Sequence, residues 1–330
     1  MAEQLSLLGN ISLFRSGIWK PRTKPGMFEG VGEIGLEWLK KAKKAYGIPV
    51  TVEVATPQHV ELALKYEIDV LWIGARTTSN PFSVQQIADA LQGINVPVLI
   101  KNPINPDIQL WIGALERIEK SGINEIGLIH RGFSSFAHTS FRNPPMWQIP
   151  IEMRRRFPEI PLICDPSHIC GNRTLLAEIA QKSIDLDFSG IMIESHPEPD
   201  TAWSDAQQQI TPLQLSMLLN ELKWRTHLDD HEDGFSTIHK IREQIDHTDD
   251  ELITLLAQRM KLSDQIGTYK KDNNITILQT ERWNGILDRL MKKASDLGLS
   301  EEFIKRYFEA VHLESINHQN RVMYQNDTQS

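Results

Sequence analysis

At 330 residues the chain suits one large domain with a smaller companion, or two to three average domains. Its formal charge of -8 argues against non-specific nucleic-acid binding, so any basic cluster is local and points to small anionic metabolites as partners. No apolar run approaches the roughly 20 residues of a membrane span, and MAEQLSLLGN lacks the basic and apolar regions of a signal peptide. Cys164 and Cys170 are too few for a disulfide framework, so a cytoplasmic chain with two buried thiols is expected.

From residue 11 to 195 one pattern recurs, a short apolar, β-branched run followed by turn residues and a helical stretch. The runs ISLFRSG, VTVEV, VLWIGA, PVLIK, EIGLIH, PLICDPS and GIMIESH lack polar alternation, which predicts seven parallel strands buried on both faces. Polar residues follow them: Arg15 and Lys20 after the first, then Glu53, Arg76, Lys101, Arg131, Asp165 with His168, and Glu194. Catalytic groups of a (β/α)8 barrel occupy that end of the strands, so the placement predicts an α/β fold of the TIM-barrel type rather than an open doubly wound sheet. An eighth strand is not found. MAEQLSLLGN reads as the tail of a helix, so the missing first strand is expected to precede Met1.

Lys20-Pro21-Arg22-Thr23 offers two cations and a hydroxyl on a stiff backbone. Guanidinium groups grip phosphate and carboxylate bidentately, and lysine supplies a point charge. With Arg76, Lys101 and Arg131 at later strand ends, they predict a doubly anionic substrate or two phosphorylated ones. His168 in DPSHICGNR, Glu194 in MIESHP and Asp205 in WSDAQQQ form a second set, whose imidazole and two carboxylates suit a divalent cation of the Mn, Fe, Zn or Mg type.

Beyond residue 224 the polar stretch LKWRTHLDDHEDGFSTIHK reads as a linker. The expected division is a barrel over 1–223, a linker over 224–236 and a helical domain over 237–330. Apolar Ile241, Ile245, Leu252, Leu255, Leu256, Leu262 and Ile266 recur at three- and four-residue steps, predicting one long amphipathic helix of about 50 Å. Two more helices are predicted, one from Thr280 as N-cap to Ala294 and one from Ser300. Three such helices cannot bury their apolar stripe alone, so a homodimer through this segment is expected. Arg259 and Lys270, 11 residues apart, project from one face of the long helix, and Ser315 and Gln319 form an i, i+4 pair on the last.

The ordered set KPRT, IGAR, the lysine of VLIK, DPSH, IESHP and SDAQQ resembles the type I (β subtype) 3-deoxy-D-arabino-heptulosonate 7-phosphate synthases over residues 11–215. The resemblance implies a metal-dependent condensation of phosphoenolpyruvate with erythrose 4-phosphate. By it, Arg15, Lys20, Arg76, Lys101 and Arg131 hold phosphoenolpyruvate, Lys20 and Lys101 acting catalytically; Arg22 and Thr23 face erythrose 4-phosphate, and His168, Glu194 and Asp205 bind the metal. The metal would polarise the aldehyde as a Lewis acid. Related synthases of 3-deoxy-octulosonate 8-phosphate are the runner-up, being poorer matches at KPRT. The family's Gly-Pro-Cys motif, which supplies a fourth metal ligand, is not found here, so a non-catalytic scaffold is also an alternative. His130 stands where many relatives carry Glu, and Ala206 where Gly is usual.

KIREQID, LLAQRMKLSDQIGTYKK, TERW and HLESINHQN resemble the all-helical chorismate mutases over residues 236–325. That resemblance implies a three-helix domain in which Arg242, Arg259, Lys270, Arg282, Ser315 and Gln319 line the pocket, Arg242 reaching the partner's site in a dimer. Arginine clamps would fix the compact conformer of chorismate, and Lys270 and Gln319 would donate to its ether oxygen as prephenate forms. Gln279 and Trp283 stand where some members have acidic residues. A regulatory module that binds chorismate or prephenate and drives dimerisation is the alternative for this half.

Overall fold

Seven short strands pair in chain order into one all-parallel sheet in the computed structural model, which describes residues 1–21, 26–136, 139–225 and 235–324. They are β1 (Phe14–Ser16), β2 (Val50–Val54), β3 (Val70–Ile73), β4 (Val98–Lys101), β5 (Ile126–His130), β6 (Leu162–Cys164) and β7 (Gly190–Ile191). The helices of this part are α1 (Ala2–Ser6), α2 (Glu33–Tyr46), α3 (Pro57–Lys65), α4 (Ala75–Thr78), α5 (Pro81–Ala90), α6 (Ile108–Lys120), α7 (Gln148–Arg156), α8 (Pro166–Cys170), α9 (Leu176–Asp185) and α10 (Pro212–Glu221). All seven predicted runs are strands, because residues such as those of β2, buried on both faces, leave no solvated side to alternate.

The edges of the sheet, β1 and β7, are not hydrogen-bonded to each other. Their ends nonetheless meet, since Arg15 of β1 reaches Met192 Sδ at 3.5 Å and Glu194 Oε1 at 3.3 Å just beyond β7. The sheet is therefore curled like a barrel, with its opening between those two strands. Side chains capping the helix N-termini turn the chain at the strand ends: Thr56, Asn80, Asp107, Asp165 and Thr211 each accept backbone N–H groups, four of them with proline in the first turn that follows.

Behind β5 one side chain breaks the apolar rule. His130 is fully buried among Trp111, Phe133, Trp147 and Phe188, and neither ring nitrogen meets a partner with hydrogen-bonding geometry. Burial, reinforced by the neighbouring Arg131, pushes its imidazole down from 6.5 to about 3. Below pH 6.5 the unfolded chain takes up a proton that the folded chain refuses until about pH 3, so folding stability falls with pH across that window. From pH 7 to 5 this amounts to about 2 kcal/mol. His130→Phe is expected to remove that part of the acid sensitivity. Denaturant midpoints at the two pH values test it, and an equal loss in both proteins would sink it.

The chain divides into two compact units, Met1–Arg225 and Thr226–Ser330. Most of the expected linker, residues 226–234, lies outside the described residues. The second unit contains α11 (Phe235–Asp272), α12 (Thr280–Asp296) and α13 (Glu301–Tyr324), and α11 and α12 each pack on α13. Thr280 is the first helical residue of α12 and not its cap, the cap position falling on Gln279. Ser300 does cap α13, accepting from Phe303 N.

α11 leaves most of its apolar stripe uncovered. Ser263, Gly267 and Lys270 face α13, and a Cβ on Gly267 would stand 3.0 Å from Gln319 Cα, so glycine sets the closest approach of the two helices. Ile241, Ile245, Leu252, Leu255, Leu262 and Ile266 are left 43–59 % exposed, and Ile245 and Leu252 lie five full turns before Ser263 and Lys270, on the same face of the helix. Among the described residues no helix is long and apolar enough to cross a membrane.

Candidate functional site

After β1 the chain forms a strand-end loop that is closed by its own backbone. Lys20 N bonds Glu29 O at 2.7 Å and Gly32 N bonds Ile18 O at 3.1 Å, closing the loop on itself. Gly30, at φ +103°, is required there, since a Cβ would lie 2.1 Å from Ile18 O. Trp19 stacks flat on His59 at 4.0 Å and anchors the loop to α3. The expected contacts Arg22 and Thr23 lie outside the described residues.

Inside the curl, Asp165 is the hub. Its Oδ1 caps His168 N at 3.2 Å, while its Oδ2 accepts from Lys101 Nζ at 2.7 Å and lies 2.9 Å from His168 Nδ1, off the ideal N–H line, and 4.0 Å from Arg15 Nη1. Burial pushes the carboxyl up, but His168, Lys101 and Arg15 overcome it and hold it well below the usual range. Burial lowers Lys101, and Asp165 opposes that shift. Glu53 is raised by burial, against the pull of Lys101, Arg15, Arg76 and Lys20. Arg15 Cζ and Lys101 Nζ both stand over the Trp72 ring, at 4.6 and 4.7 Å from its centroid, so an aromatic face replaces part of the water these cations have lost.

Arg131 follows β5. Its peptide N donates to Asn102 Oδ1 at 2.7 Å and its Nη1 to Asn143 Oδ1 at 2.9 Å, and burial lowers its guanidinium to about 10. Gly132, at φ +75°, lets Asn143 O approach where a Cβ would be 2.1 Å away. Arg76 is exposed on α4, close enough for its charge to act on Glu53. Arg15, Arg76, Lys101 and Arg131 thus share one end of the sheet. Lys20 reaches the same end through the loop, its Nζ donating to Ser204 Oγ at 2.6 Å.

The expected metal set does not assemble as predicted. His168 Nε2 and Glu194 Oε1 face one another at 3.9 Å, the right donor chemistry for two ligands. Asp205, in the left-handed region at φ +53°, is instead drawn to Lys20 Nζ at 3.6 Å and Arg142 Nη1 at 3.4 Å. Gln208 Nε2 occupies Glu194 Oε2 at 2.6 Å, while Gln208 Oε1 accepts from Arg142 at 2.9 Å. Among the described residues no group of three His, Cys, Asp or Glu is placed to hold a cation. The arrangement as it stands does not fit a three-ligand ion, because cations from two other loops have taken the third carboxylate. Trp72, Asn102, Arg142, Asn143 and Gln208 were not singled out by the sequence; Arg142 in FRNPP carried no signal beyond its charge.

The open groove between α5 and α6, about 260 Å³ and lined by Gln85, Asp89, Glu116, Arg117 and Lys120, lies on the helical layer and contains none of the candidate residues.

In the second unit Arg259 Nη1 donates to Ser315 Oγ and to Val311 O, joining α11 to α13. Lys270 Nζ donates to Ile277 O in the turn before α12. Burial lowers both cations; a nearby Arg282 also lowers Lys270. Lys270, Ser315 and Gln319 are buried, and Gln319 Oε1 has no partner. Arg259, Lys270, Arg282, Ser315 and Gln319 therefore belong to one cluster. Arg242 does not: it is exposed 17 residues earlier on α11, roughly 25 Å along the axis. His312, missed in the sequence, stacks on Trp283 beside the cluster.

Both units are similar to known proteins. Residues 1–228 match the DAHP synthetase I family and residues 241–320 match chorismate mutase type II. A phospho-2-dehydro-3-deoxyheptonate aldolase of Thermotoga maritima is 33% identical over 222 residues, 67% of this chain and 63% of its own length. The chain thus spans somewhat less than two thirds of that relative. A solved structure of the Thermotoga maritima enzyme gives a TM-score of 0.60 at 33% identity, covering 67% of this chain and 62% of the other. A 2-dehydro-3-deoxyphosphooctonate aldolase of Synechococcus is more distant, 26% identical over 208 residues, 59% of this chain and 71% of its own.

Proposed function

Because the chain belongs to the DAHP synthetase I family and continues into a chorismate mutase type II segment, we propose that it is a bifunctional, cytoplasmic enzyme of the shikimate pathway. The barrel unit condenses phosphoenolpyruvate with erythrose 4-phosphate, and the helical unit, joined to it through residues 224–236, rearranges chorismate to prephenate. The observation that carries the first activity is the ring of cations on one end of the sheet with Asp165 at its centre.

Arg15, Lys101, Arg131 and Arg76 bind the phosphate and carboxylate of phosphoenolpyruvate, and Lys20 closes over them from its loop. Asp165 holds Lys101 and Arg15 at fixed spacing, and the Trp72 face keeps them apart from water, so the nucleophilic carbon of bound phosphoenolpyruvate is presented in one orientation. Arg22 and Thr23 are assigned to the aldose phosphate. His168 and Glu194 remain a donor pair.

In the helical unit the rearrangement needs no covalent catalyst. Arg259, held by Ser315, and Arg282 take the two carboxylates, while Lys270 and Gln319 donate to the ether oxygen as its bond breaks. The exposed apolar stripe of α11 supports a homodimer in which Arg242 enters the partner's site. The test is direct assay of the full chain for phosphoenolpyruvate consumption with erythrose 4-phosphate, with divalent ion supplied and with chelator, and for chorismate loss. A chain that neither binds phosphoenolpyruvate by calorimetry nor consumes chorismate refutes the reading.

A further inference from the structure

α13 carries His312, Ser315 and Gln319 at i, i+3 and i+7, which places them on one stripe. Ser315 and Gln319 are buried in the cluster already described. His312 lies flat on the Trp283 indole, ring centroids 4.0 Å apart and planes within 12°, so a contact between α12 and α13 fixes its orientation. Its Nε2 is sealed from solvent and has no hydrogen-bond partner.

Buried polar atoms are ordinarily paired, so an orphan beside a cationic cluster calls for a ligand. Burial, then Arg259 and Lys270, keep the ring neutral at physiological pH. A neutral imidazole nitrogen adds no charge for a carboxylate, which the cations serve better. It matches a neutral group that can both donate and accept, such as a hydroxyl. Seven residues along α13 separate His312 from Gln319, roughly 10 Å, a span that a small ring dicarboxylate can cover.

We infer that His312 is a substrate-contacting residue of the helical unit, its Nε2 hydrogen-bonding the hydroxyl of the dicarboxylate that Arg259 and Lys270 hold. This rests on the mutase reading above. His312→Leu keeps the volume and removes the nitrogen, and His312→Gln returns a polar group at similar reach. In the full chain, His312→Leu is expected to raise KM for chorismate about tenfold with kcat changed less than threefold, and to weaken prephenate binding by calorimetry in proportion. His312→Gln is expected to recover most of both. A purely structural His312 would instead shift the melting temperature with KM unmoved or without rescue by Gln, and either result overturns the inference while leaving the mutase reading intact. If the unsubstituted chain turns over no chorismate, the reading itself fails and the inference with it.

Discussion

Lys270→Ala is expected to lower the rate of chorismate rearrangement by about a thousandfold, the upper range for loss of one preorganised donor to a developing negative charge. The size follows from where Lys270 sits. It is 7 % exposed on the α13 side of α11, and Gly267 one turn earlier lets Gln319 come close enough to share the site. A cation there acts in a partly water-excluded space, where it stabilises an ether oxygen more than it would in solution. Lys270 also holds the turn before α12 through Ile277 O, so the variant must be shown to keep its helix content. Arg259→Ala is expected to raise KM as well as lower kcat, because its guanidinium grips a carboxylate present in both ground and transition states. Steady-state kinetics on both variants, with circular dichroism, decide the matter. A loss under tenfold in each would leave the helical unit as a binding module.

The strands were legible because burial on both faces writes itself as unbroken apolar runs, and the strand-end rule then located Arg15, Lys101, Asp165 and Arg131 without any contact being known. The length of α11 was legible from its three- and four-residue steps, but not where along the helix the close packing on α13 falls. The apolar residues of α11 were expected to exceed what three helices can cover, and they are indeed largely open, while small Ser263 and Gly267 and the cation Lys270 are the buried positions. Asp205 illustrates a different limit. Its residue type and place suggest a metal ligand, but Arg142, 63 residues earlier, and Lys20, on the first strand's loop, compete for it, and only the fold brings them together. His312 stands three residues before Ser315, a spacing that places the two on the same face of α13.

Lys101 and Asp165 form the most deeply buried ion pair among the described residues of the barrel unit, 3 % and 0 % exposed at 2.7 Å, and removing one partner is expected to cost about 3–5 kcal/mol. Lys101→Met leaves the carboxylate facing only Arg15 at 4.0 Å and His168. Asp165→Asn leaves Lys101 beside Arg15 over one indole, two like charges without their counterion. The double variant removes both charges and is expected to be clearly less destabilised than the sum of the two, because neither uncompensated charge remains. The sign with pH is fixed by the depressed carboxyl: stability from Asp165 is complete above its unfolded value near 3.9 and is lost as pH falls through its lower folded value. Between pH 5 and 8 the penalty of Asp165→Asn should therefore be flat in this respect, and it should shrink below about pH 4. Phosphoenolpyruvate affinity should fall in all three variants, since Arg15 and Lys101 lose the spacing that Asp165 imposes. Urea titrations across pH together with calorimetry separate the two effects. If the single variants lost under 1 kcal/mol, or if the double variant were simply additive, the pair would not be the electrostatic hub that its burial indicates.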